Sequence, residues 1–126
     1  MTAGPTPGHP APDRMVTLST HVLDATAGGP AAGVEVWLER LGQGGWAPAG
    51  QGRTGADGRL ALGDTGPGFG TGVYRITFGS GGYFAALGIA SFYPEVTVTF
   101  EMTSGGEHYH VPLLLSPFAY STYRGS

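Results

Sequence analysis

From Glu95 to Met102 the chain alternates, with Val96, Val98, Phe100 and Met102 on one side and Thr97, Thr99 and Glu101 on the other. A period of two gives a strand one dry face and one wet face, and it cannot produce an apolar stripe on a helix. The same period recurs along the sequence. In Met15 to Leu23, Val16, Leu18 and Val22 share a row with Thr20, and Thr17, Ser19, His21 and Leu23 oppose them. Val34, Val36 and Leu38 oppose Glu35, Trp37 and Glu39, and Tyr74, Ile76 and Phe78 share a face. Shorter strands are expected from Trp46, from Arg59 to Leu62, from His108 to Leu115 and from Ala119 to Arg124.

Turn chemistry separates these runs. Asp24 to Pro30 and Gly42 to Gly45 reverse the chain, and Ala56-Asp57-Gly58 suits a hairpin turn because Asp and Gly tolerate positive φ. A Gly/Pro loop spans Gly63 to Gly72. Tyr83 to Ile89 is the one segment that reads as a helix. Seven or eight short strands at this spacing predict an all-β fold, a β-sandwich with one short helix.

A chain of 126 residues makes one domain. Residues 1–14 carry Pro5, Pro7, Pro10 and Pro12 without an apolar core, so they read as a flexible tail ahead of a domain at 15–126. They resemble neither a signal peptide nor a span, and no run is long and apolar enough to cross a bilayer. The expected setting is cytoplasmic, with no membrane partner. Six Lys plus Arg and a formal charge of -3 leave no basic face for nucleic acid. The absence of Cys removes disulfides, thiolate metal sites and thiol nucleophiles together.

Ionisable residues stand on the polar faces. His21 opposes the Val16/Leu18/Val22 row, and Arg59 opposes Leu60 and Leu62. His108 and His110 oppose Tyr109, Val111, Leu113 and Leu115, about 7 Å apart along one strand. Such residues on strands are ordinarily just solvated. His-x-His with a third His is also a zinc donor set with one open position. Strand order is not readable from the sequence, so periodicity does not say whether His21, Arg59 and His110 meet. Gly66 to Gly72 does not follow GxGxxG, and no GxSxG is present. The chain end is unusual. An apolar run from Val111 to Tyr120 leads to Tyr123-Arg124-Gly125-Ser126, which predicts a terminus packed against something rather than frayed.

Four stretches together resemble the 5-hydroxyisourate hydrolases, the enzymatic relatives of transthyretin. They are Leu18-Ser19-Thr20-His21-Val22-Leu23-Asp24 with Gly29 to Val34; Thr54-Gly55-Ala56-Asp57-Gly58-Arg59; Tyr83-Phe84 with Ser91 to Glu95; and His108 to Ser116 with Tyr120 to Ser126. The resemblance covers nearly everything from Met15 onward. It implies a transthyretin-like sandwich, a homotetramer with active sites in channels between dimers, and hydrolysis of 5-hydroxyisourate in urate degradation.

Carried over residue by residue, the resemblance makes His21, Arg59, His110 and Ser126 catalytic, with His21, Arg59 and Tyr123 on the substrate. His21 and His110 would share deprotonation of water and proton delivery to the leaving nitrogen. Arg59 would hold the polar ring, and Ser126 would orient a His. His108 is the weaker candidate, as a structural or supporting residue. No metal or cofactor is implied. The rival from another class is a transthyretin-type carrier of a small ligand, whose channel would be expected to be apolar.

Overall fold

The computed structural model describes residues 16–62 and 70–126, so the expected tail at 1–14 and most of the loop between Gly63 and Gly72 lie outside the described residues. Among the described residues nine strands and one helix follow in order: β1 (Thr17–Asp24), β2 (Gly29–Pro30), β3 (Glu35–Gly42), β4 (Gly45–Arg53), β5 (Arg59–Leu62), β6 (Gly72–Phe78), α1 (Ser80–Ala86), β7 (Val96–Met102), β8 (His108–Leu115) and β9 (Tyr120–Thr122). One sheet runs β2-β1-β8-β9, with β5 on the same edge of β1 as β2; the other runs β4-β3-β6-β7. This is the predicted sandwich.

The alternating rows do what their period requires. Val16, Leu18 and Val22 from the first sheet meet Val36, Leu38, Tyr74, Ile76 and Phe78 from the second, all 0–1 % exposed. Truncating one of the larger of these to Ala would cost about 2–5 kcal/mol. Thr20 stays in the buried row because its hydroxyl donates to the Val111 carbonyl at 2.6 Å. That bond ties β1 to β8, its parallel neighbour.

Three details depart from the sequence reading. The helix lies three residues earlier than expected, at Ser80–Ala86. Gly81 reads as a helix breaker, yet a Cβ there would stand 2.7 Å from the Pro94 carbonyl oxygen, so close packing selects glycine. Ala56-Asp57-Gly58 is not a hairpin turn: it carries the chain from β4 in one sheet to β5 in the other. The strand beginning near Trp46 is long, at nine residues, and holds Pro48 because β4 is an edge strand with a register shift opposite Leu38/Glu39.

The chain end runs along β8 but is not covered within the chain. Tyr120 is 41 % and Tyr123 58 % exposed. No helix among the described residues is long and apolar enough to cross a membrane.

Candidate active site

The outer face of the first sheet carries the polar residues in rows. Register pairs His21 with Arg59 on β5 and with Pro112 on β8. The next row pairs Ser19 with Ala61 and His110, and the one beyond pairs Thr17 with His108. The pairing of β8 with β9 ends at Leu113↔Thr122 and resumes in the same register at His110↔Gly125. Pro112, which has no N–H to give, sits in the gap. Continuing that register sets Tyr123 opposite Pro112. Two rows result: Arg59, His21, Pro112, Tyr123, and beside it Ala61, Ser19, His110, Gly125. Neighbours within a row lie one strand spacing apart, about 4.8 Å, and the rows are about 7 Å apart.

The turn before β5 builds one end of this face. The Thr54 hydroxyl donates to the Ala31 carbonyl at 2.7 Å and accepts the Val34 N–H at 2.9 Å, so the turn is anchored in the interior. Asp57 Oδ1 accepts the Arg59 N–H at 3.0 Å. Gly58 has φ +78°, and a Cβ there would collide with the Val22 carbonyl. Only glycine lets the turn lie so close to β1, where the Val22 N–H donates to the Gly58 carbonyl at 2.8 Å. Thr54, Asp57, Gly58 and Arg59 are thus one device that sets Arg59 beside His21.

That device also fixes a proton. His21 Nε2 lies 2.9 Å from the Asp57 carbonyl oxygen. A carbonyl only accepts, so Nε2 carries the hydrogen and neutral His21 keeps its lone pair on Nδ1.

His110 is held from its other side. Ser19 Oγ lies 2.8 Å from His110 Nδ1 and 2.9 Å from His108 Nε2, and Thr17 Oγ1 lies 2.6 Å from His108 Nδ1. The Cδ2 edge of His110 abuts Gly125, whose N–H donates to the His110 carbonyl at 2.8 Å. Nε2 of His110 has no hydrogen-bond partner among the described residues. Burial, followed by the positive charges of Arg59, His108 and His21, pushes the His110 pKa below its ordinary 6.5, while a hydrogen bond to the Ser19 backbone works the other way. His110 is therefore neutral near pH 7.

The fold brings His21, Arg59 and His110 onto one face and sets Tyr123 at its margin. Ser126 lies beyond the bridge, with no hydrogen bond among the described residues. Arg124 turns away: it pairs with Glu107 at 2.9 Å and stacks 4.8 Å over the Tyr109 ring, clamping the tail. No three His, Cys, Asp or Glu among the described residues group as a metal set. A cleft of about 330 Å³ opens on the far side of the tail, between Val98, Phe100, His110 and Tyr123, and neither His21 nor Arg59 lines it. In one chain the polar rows are an open surface.

Sequence reasoning passed over Ser19, Thr17 and the Asp57 carbonyl, and it took Gly125 only as part of the tail, without its contact with the His110 ring. Ser19 carried a signal, since period two sets it beside His21 on the wet face. Its partners did not, because they come from β8.

Comparisons with known proteins agree with this architecture. A model of the HIUase/Transthyretin family matches residues 18–125. The 5-hydroxyisourate hydrolase of Salmonella dublin is 46 % identical over 109 residues, 86 % of this chain and 80 % of that one. The solved 5-hydroxyisourate hydrolase of Klebsiella pneumoniae superposes with a TM-score of 0.78 at 39 % identity, covering 89 % of this chain and all of the other. Sea bream transthyretin in complex with thyroxine gives the same TM-score of 0.78 at 32 % identity, over 86 % of this chain and 93 % of the other. Backbone likeness alone thus fits both an enzyme and a carrier.

Proposed function

The chain belongs to the HIUase/transthyretin family, and from that membership we propose that it hydrolyses 5-hydroxyisourate to 2-oxo-4-hydroxy-4-carboxy-5-ureidoimidazoline in urate degradation. The observation that carries this reading is the row arrangement: a fixed cation, Arg59, beside His21, with His110 one row away on the next strand.

The reaction needs a base for water, an acid for the departing ring nitrogen and a positive group for the oxygen that gains charge. His21 suits the first task. Its Nε2–H is committed to Asp57, so Nδ1 takes the proton as water attacks the ring carbonyl. Arg59 offers its donor fork to the oxyanion that forms there. His110 then gives its Nε2 proton to the ring nitrogen as the carbon–nitrogen bond breaks. Tyr123, opposite Pro112 and largely exposed, borders the ring. Ser126 is one short step past the His110↔Gly125 bridge, which supports a role in orienting His110. No cofactor enters this scheme.

Homotetrameric assembly belongs to the same proposal, as does a cytoplasmic setting, in keeping with a chain that relies on no disulfide. Phe92 and Phe118, each 68 % exposed, and Tyr120 offer apolar surface for a partner copy. Two polar faces opposed across a channel would turn the open rows into enclosed sites. The first domain boundary is proposed at residue 15.

A small-ligand carrier is the second reading, favoured by the equal structural match to thyroxine-bound transthyretin. His21, Arg59 and His110 weigh against it, because an apolar ligand would take the Arg59 charge and the free imidazole nitrogens from water and offer them no hydrogen bond in return. The test is the ultraviolet absorbance of 5-hydroxyisourate generated from urate and urate oxidase, with and without chelator-treated protein. Accelerated decay is expected. Decay at the spontaneous rate with a folded tetramer would favour the carrier, and activity restored only by added zinc would favour a metal site.

A further inference from the structure

The hydrogen bonds behind His110 form an unbroken line: Thr17 Oγ1 to His108 Nδ1 at 2.6 Å, His108 Nε2 to Ser19 Oγ at 2.9 Å, and Ser19 Oγ to His110 Nδ1 at 2.8 Å. Each member can both donate and accept, since hydroxyls do so freely and a neutral imidazole does one at each nitrogen. His110 is half-buried, while His108, next to the Thr17 end of the line, is exposed. The line therefore runs from the site to solvent. Nothing in strand pairing demands it: a sheet needs no side-chain bridge between two histidines two residues apart.

We infer that Ser19, with His108 and Thr17 behind it, is a positioning and proton-supplying relay that lets His110 act as the acid of the reaction. The inference rests on the hydrolase reading above. His21 is fixed as the proton acceptor by the Asp57 carbonyl, so the complementary donor is His110 with its hydrogen on Nε2. That tautomer requires Nδ1 to accept, and Ser19 is the group placed to donate to it.

The proton count also requires the line. A neutral imidazole that gave up its Nε2 proton alone would be left as an anion, which near Arg59 is still costly. If the Ser19 proton moves to His110 Nδ1 in the same step, no anion forms. His108 Nε2–H then replaces the proton on Ser19, the Thr17 hydroxyl replaces the one on His108 Nδ1, and solvent replaces that on Thr17. One proton enters at Thr17, one leaves to the substrate nitrogen, and the proton taken by His21 returns to solvent. His110 ends neutral, with its hydrogen on Nδ1, and the line resets by running in reverse through solvent exchange.

The test uses the intact chain and three variants, Ser19→Ala, Ser19→Thr and His108→Gln, with two readouts. In the first, hydrolysis of 5-hydroxyisourate is followed in mixtures of light and heavy water. Ser19→Ala is expected to lower kcat by about 10²-fold with KM changed less than about twofold. The dependence on deuterium fraction should change from bowed, with several protons in motion, to linear. His108→Gln should weaken kcat in the same direction, and Ser19→Thr, which keeps the hydroxyl, should restore it. In the second, nitrogen-15 spectra of His110 should show Nδ1 accepting and Nε2 protonated in the intact chain, and a loss of that hydrogen-bonded signature in Ser19→Ala. Unchanged kcat in Ser19→Ala, or a rise in KM alone, would overturn the relay. So would an Nδ1-protonated resting His110 in the intact chain. An inactive but folded intact protein would instead overturn the hydrolase reading itself, and the nitrogen spectra would still judge the hydrogen-bonded line.

Discussion

A Cβ on Gly125 would stand 2.5 Å from Cδ2 of His110 and 3.2 Å from Pro112 Cγ. The glycine of the terminal Tyr-Arg-Gly-Ser is therefore a steric requirement of the His110 ring, not a φ requirement, since no positive φ occurs there. The last residues of the chain form one wall of the pocket in which that imidazole sits.

Gly125→Ala should consequently push either the ring or the tail aside. Because a displacement of about 1 Å at a reacting group costs on the order of 10²-fold, kcat/KM for 5-hydroxyisourate should fall by about that factor. The melting temperature should fall only slightly, since the site is at the sheet margin. A variant with unchanged kcat/KM would show that the tail does not set the His110 position.

The fold was legible in the sequence because burial is written in a period of two, and the rows of β1, β3, β6 and β7 needed no partner to be read. The helix was misplaced because Gly81 and Gly82 argue locally against it, while the contact with Pro94 that selects Gly81 is a tertiary fact. His21, Arg59 and His110 were identified by outward position and by resemblance. What brings them together is strand order: β1 lies between β5 and β8, and that order is fixed by contacts far apart in sequence. The Ser19 bridge was invisible for the same reason, with 91 residues separating it from His110.

The depressed pKa of His110 predicts how stability depends on pH. Above the ordinary value of 6.5 both folded and unfolded chains hold His110 neutral, and the group is without effect. As pH falls below 6.5 the unfolded chain binds the proton first, so stability declines until the lower folded-state value is passed. The groups facing His110 are His21 and Ser19 on β1, Arg59 on β5 and His108 on β8. Denaturant midpoints measured from pH 7.5 to pH 5 should fall, and His110→Asn should remove part of that slope. An unaltered slope in the variant would contradict the assignment.

Asp24 is 2 % exposed and fully occupied: Oδ1 accepts the N–H groups of Thr26 and Ala27, and Oδ2 accepts the Tyr83 hydroxyl at 2.7 Å. This bond ties α1 to the end of β1. Tyr83→Phe should destabilise the fold by about 1–3 kcal/mol, because one carboxylate oxygen loses its partner in a nearly dry site. Burial and then the neighbouring Asp24 push the Tyr83 pKa up to about 12. Between its ordinary 10.0 and that value the unfolded chain loses the proton first, so stability should fall as pH rises through this window. Chemical denaturation of the two proteins at pH 7 and pH 10.5 checks both statements.

Removal of residues 1–14 should alter neither assembly nor rate, since the matched family region begins at residue 18. Sizing chromatography and the decay assay on the truncated chain check this, and a slower or dissociated truncation would assign the tail a role in the domain.

The most direct measurement is the rate of 5-hydroxyisourate decay, followed by absorbance, with the intact protein, with Arg59→Ala and with His110→Asn. Arg59 is exposed and His110 half-buried on the outer face, so neither substitution should disturb the core. The account predicts rapid decay with the intact chain. It predicts a loss of at least about 10²-fold in kcat/KM for each variant, with the assembly unchanged on a sizing column. Variants that match the intact protein would contradict it and move the chemistry away from the β5–β1–β8 face.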